Sequence, residues 1–174
     1  MANRDNPHGL APLMRNLSGG CPSVSQYNKD ASMATAIFIN DVVNREDDGN
    51  LSPGGTPGTT TFQGIALNHG AALTLSNHLV VDDPTALFEA QDDADTDGFA
   101  EADMGLNCNL VFGAGSAVTQ ISGHELDEAT LNTTNTLDVK LLRLLEAPDN
   151  AYGSHSRIEV VINKHRLNPG LAGV

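Results

Sequence analysis

The chain has 174 residues, with nine Lys and Arg against 22 Asp and Glu, for a net charge of −13. That length allows one core of ordinary size, or one domain with an extended arm. The acidity argues against a phosphate-neutralising nucleic-acid binder and against adsorption to anionic lipid, and no run of about 18 apolar residues predicts a transmembrane helix. The first ten residues, MANRDNPHGL, lack the apolar stretch of a secretory signal.

Residues 1–34 hold Pro7, Pro12, Pro22 and several Gly, Asn and Ser, with no sustained period of 2 or 3.6. They read as an extended arm that buries too little apolar area to order by itself. Leu10, Leu13, Met14 and Leu17 are its candidate anchors on a partner. From Thr35 the texture is β-rich, and TAIFINDVV offers Ile37 and Ile39 to a buried face. The turn signal Asp48-Gly49 follows, then the Gly, Pro and Thr loop of residues 53–61. FQGIALNHGAA, LTLSNHLVV and TALFEAQ read as strands.

Next comes an acidic loop, and AEADMG suits one helical turn. LNCNLVF and AVTQI read as strands, whereas HELDEATLNTTNT reads mostly as loop. Residues 136–147 suit a helix or a strand equally: the composition favours helix, with Thr136 as N-cap, but Leu137, Val139, Leu141 and Leu145 also alternate. RIEVVINKH alternates cleanly through Ile158, Val160 and Ile162, and the Gly- and Pro-rich end reads as extended. Strands at about ten-residue spacing predict an all-β fold, a compact β-barrel or jelly-roll-like sandwich over residues 35–174.

Charge is unevenly placed. Residues 46–139 carry 16 acidic side chains and no Lys or Arg, while the two ends are faintly basic. Such a stretch reads first as a solvated acidic face. Cys21 and Cys108 are the only cysteines and read as free thiols.

The best chemical motif is Asp93-Ala-Asp95-Thr-Asp97-Gly98, the D-x-D-x-D-G opening of a calcium loop. Carboxylates at alternate positions converge on a Ca²⁺, so Asp93, Asp95 and Asp97 are candidate ligands. Met104 occupies the twelfth position, where an EF-hand needs a bidentate Glu, so a looser calcium loop or a solvated acidic turn are the alternatives. The six His show no H-E-x-x-H spacing, and GAGSAV completes neither a nucleophile elbow nor a dinucleotide fingerprint. No enzyme and no required cofactor is expected from these patterns.

The opening MANRDNPHGLAPLMRNLSGG resembles the start of head decoration, or capsid cement, proteins of tailed bacteriophages. The resemblance continues through TAIFINDVV, GTPGTTTFQGIALNHGAA, NHLVVDDPTALFEAQDD, ADMGLNCNLVFGAGS, SGHELDE, LDVKLLRLLEAPDNAYG and RIEVVINKHRLNPG, in that order. It implies a β-rich protein on the outer capsid surface of the virion. Such a protein bridges neighbouring copies of the major capsid protein as a homodimer or homotrimer, with its N-terminal arm along the shell. A calcium-dependent adhesion or receptor-binding module on the virion surface is the alternative.

Overall fold

The computed structural model describes residues 3–167. Two antiparallel sheets pack as a sandwich, and neither closes into a barrel. In chain order the strands are β1 Ala11–Asn16, β2 Val24–Lys29, β3 Val42–Arg45, β4 Leu51–Pro53, β5 Gly64–Ala66, β6 Ser76–Val81, β7 Ala86–Gln91, β8 Asn107–Gly113, β9 Gly123–Asn132, β10 Val139–Leu144 and β11 Arg157–Ile162. The first sheet runs β1-β7-β11-β10-β8-β9 and the second β2-β6-β5-β3-β4.

The main core lies between the sheets. β11 supplies Ile158, Val160 and Ile162, as its alternation predicts, and β7 opposes Val160 with Phe88. Each such buried aliphatic side chain contributes about 1.5–3 kcal/mol relative to exposure. A smaller cluster of Ile37, Val43, Leu51, Ala66 and Val80 lies on the other face of the second sheet, partly covered by Tyr27. The terminal strands of this sheet, β2 and β4, approach each other, so the sheet curls around the cluster.

Residues 3–34 are not an arm outside the domain. β1 pairs with β7 and β2 pairs with β6, so this segment supplies one edge strand to each sheet. Leu10 is fully buried in the main core, and its N–H donates to Asn40 O at 3.1 Å. The segment lacks its own periodicity because it completes two sheets that other residues build.

Other elements depart from expectation for local reasons. The run from Thr35 becomes a strand only at Val42, because Asn40 takes a left-handed φ of 69° and Asp41 Oδ2 accepts the Phe38 N–H at 2.7 Å. Residues 117–121 form no strand; Ile121 makes an isolated bridge to Ile39, and Val118 is 94% exposed. The polar stretch read as loop is β9, which buries His124 and Leu126 on its inner face. An edge strand with one solvated face needs few apolar residues.

Residues 136–147 hold strand β10, whose backbone pairs with β8 on one side and β11 on the other. Glu101–Asp103 forms a 3-10 turn, where a single helical turn was expected. Most of the C-terminal tail, residues 168–174, lies outside the described residues. Cys21 is exposed and Cys108 buried, both as free thiols.

Candidate functional site

The arm residues have divergent fates. Leu10 is consumed by the core and is unavailable to a partner. Leu13 is half-buried, while Met14 and Leu17 are 55% and 58% exposed. The β1–β7 register slips between Pro12 and Asn16, so β1 carries extra residues there. Met14 adopts a φ of 55° within this bulge. A bulge re-aims side chains, and this one coincides with the outward Met14.

Arg15, beside Met14, reaches Glu159 of β11. Arg143 of β10 reaches the same carboxylate, with Nη2 2.9 Å from Oε1 and Nε 3.3 Å from Oε2. Glu159 is thereby covered, at 2% exposure, although it points away from the core. Lys140 pairs with Val161 on β11, off the core-facing positions. Basic residues from both ends of the chain thus meet on the outer face of the first sheet. Glu89 lies opposite Glu159 on the same face, and Arg157 reaches both Glu89 and Asp149, so the charges of this face form a paired network.

The acidic loop has a different geometry from the one its spacing predicts. Carboxylate oxygens of Asp93 and Asp95 converge with Asp127 of β9, within 4.8 Å of one another, and Asp97 is outside this group. Burial raises the carboxyl pKa of both Asp93 and Asp127, and the Asp95 charge adds to each. Gly98 takes a φ of 78°, and a Cβ there would fall 2.2 Å from Gly153 C. Its glycine is explained by backbone packing against residues 153–154, with no ion needed. Thr96 Oγ1 and Gly98 N both donate to Glu128, which closes the loop onto β9.

Asp127 was not legible as a partner because it lies on a strand that reads as loop. Asp92, fully buried, adds another carboxylate: burial, then Asp93 and Glu128, push it up to about 6.

A cleft of about 570 Å³ is lined by Phe38, Phe112, Pro53, Gly54, Asp41 and His124. The Val42 N–H donates to His124 Nδ1 at 3.4 Å, which places the ring proton on Nε2, 3.5 Å from Asp41 Oδ1. Burial pushes His124 down to about 4 and Asp41 up to about 6, so at neutral pH the imidazole is neutral and the carboxylate charged. Ser122 bonds to Asp41 rather than to the imidazole. A nucleophilic serine needs its hydroxyl on the base nitrogen, and here His124 Nδ1 is taken by backbone and Nε2 faces the carboxylate. This order of Ser, Asp and His positions a loop and does not activate a hydroxyl.

No family model, curated protein or solved structure matches the chain. The functional reading therefore rests on these surfaces. Among the described residues, no helix is long and apolar enough to cross a membrane.

Proposed function

We propose that the chain is a structural virion protein that binds the outer surface of a phage capsid and cements neighbouring major capsid protein subunits. The observation that carries this reading is the outer face of the first sheet, where Arg15 and Arg143 share Glu159 beside exposed Met14 and Leu17. An exposed apolar pair rimmed by a network of paired charges suits a docked protein surface. The strongly acidic remainder of the chain suits a solvent-facing surface that repels nucleic acid and anionic lipid. Assembly as a homodimer or homotrimer multiplies such contacts over a symmetric shell, so modest single contacts suffice.

Co-sedimentation of the full chain with empty capsid shells tests this. Binding that is lost in a Met14→Asp, Leu17→Asp double variant of unchanged Tm supports it. Equal decoration by variant and parent sinks it.

The convergence of Asp93, Asp95 and Asp127 favours a second reading, a Ca²⁺-dependent adhesion or receptor-binding module on the virion surface. That reading requires Ca²⁺ for attachment, whereas cementing by the sheet face does not.

A further inference from the structure

Three ligand-type side chains from separate segments meet beside the end of β7. Asp5 comes from the N-terminal segment, Glu125 from β9 and His155 from the loop between β10 and β11. One donor atom from each lies within 4.8 Å of the others.

One buried amide arranges this meeting. Gln91, the last residue of β7, is 2% exposed. Its Oε1 accepts the Asn6 N–H at 2.8 Å, and its Nε2 donates to Arg4 O at 2.6 Å and to His155 O at 3.0 Å. Both neighbours of Asp5 and the carbonyl of His155 are therefore held by one side chain. Asp92 Oδ2 accepts the His155 N–H at 3.0 Å, so both backbone polar atoms of His155 are gripped. Its φ of 58° is a left-handed conformation that a non-glycine residue adopts at a cost.

The ring nitrogen Nδ1 carries the argument. It is closed off from solvent and has no hydrogen-bond partner. Asp5 Oδ1 stands 4.0 Å away, beyond hydrogen-bond range. A cation held between the imidazole and the two carboxylates gives this nitrogen the partner it lacks. Donors about 2.0–2.2 Å from a tetrahedral ion lie about 3.3–3.6 Å apart, so the three side chains need to close by at most about 1.2–1.5 Å.

We propose that Asp5, Glu125 and His155 form a binding site for a divalent transition metal of the Zn²⁺ class, which clips the N-terminal segment to β9 and the β10–β11 loop. An imidazole among the ligands favours Zn²⁺ over Ca²⁺ or Mg²⁺, which prefer all-oxygen sets. The all-oxygen group of Asp93, Asp95 and Asp127 is the internal contrast. Three protein ligands leave a fourth position for water, or for a donor from a docked partner.

Calorimetry of the full chain with ZnCl₂ tests the site, with Cys21→Ser as the background so that the exposed thiol takes up no ion. One equivalent of Zn²⁺ binds, Tm rises with the metal, and Mg²⁺ does not compete. His155→Ala and Glu125→Gln each weaken binding about ten-fold or more, while Asp95→Asn leaves it unchanged. Glu125→Gln preserves side-chain size, so weaker binding with an unaltered metal-free Tm separates ligation from misfolding. Zn²⁺ binding that persists in Glu125→Gln, or no stoichiometric uptake by the parent, overturns the proposal.

Discussion

Arg143 Nη2 lies 2.9 Å from Glu159 Oε1, on a carboxylate that is only 2% exposed on the outside of a sheet. Arg15, from β1, holds the same carboxylate. The first edge strand is therefore tied to the middle of its sheet by charge as well as by its backbone. Glu159→Ala leaves two guanidiniums unpaired but largely solvated, since the side chains of Arg15 and Arg143 are 45% and 58% exposed. The expected loss is about 1–2 kcal/mol, below that of a fully buried pair. Urea denaturation checks it, and an unchanged midpoint means the pair contributes nothing.

Leu10 separates the stability of the N-terminal segment from its surface role. Leu10→Ala removes a fully buried core side chain and is expected to cost about 2–5 kcal/mol. Met14→Ser and Leu17→Ser change exposed side chains and are expected to stay within about 0.5 kcal/mol. Thermal melts of the three variants make the comparison. A Leu10→Ala protein as stable as its parent contradicts the burial of this segment.

The same segment shows what was legible beforehand. β11 was readable because its inward residues are all apolar and alternate without interruption. β1 was not, since Pro12 and a bulge break its alternation, and a single leucine outside the strand makes the deepest contact. β9 was hidden for a related reason: an edge strand facing water carries acidic residues at its outward positions, and those residues read as loop. With β9 misread, Asp127 and Glu125 could not be placed beside Asp93 and His155. The local spacing D-x-D-x-D-G suggested Asp97 in their stead, though Gly98 serves backbone packing.

Asp92 is fully buried, and its Oδ1 lacks a partner. Its folded pKa of about 6 stands above the ordinary 3.8. The folded protein thus holds this proton more tightly than the unfolded chain. Its stabilising effect is complete below about pH 4 and is lost as pH rises through about 6. Asp92→Asn retains an acceptor for the His155 N–H and removes the charge, so it is expected to stabilise the protein at pH 7 by up to about 3 kcal/mol and to change little at pH 4. Denaturation at both pH values measures this. A variant less stable than its parent at pH 7 shows that the charge is compensated.

Asp127 and Asp97 give opposite predictions for the calcium-dependent reading. A Ca²⁺ ion takes several carboxylate and carbonyl oxygens at about 2.3–2.6 Å, so it needs the carboxylates that converge. Those belong to Asp93, Asp95 and Asp127, while Asp97 is exposed and outside the group. If Ca²⁺ binds here, Asp127→Asn abolishes the calorimetric heat and Asp97→Asn retains it. Binding should also strengthen as pH rises, because burial holds Asp93 and Asp127 protonated to higher pH than ordinary carboxyls and the ion competes with those protons. No heat at millimolar Ca²⁺ and neutral pH removes the adhesive reading, and loss in Asp97→Asn alone would restore the local loop geometry that the sequence spacing implies.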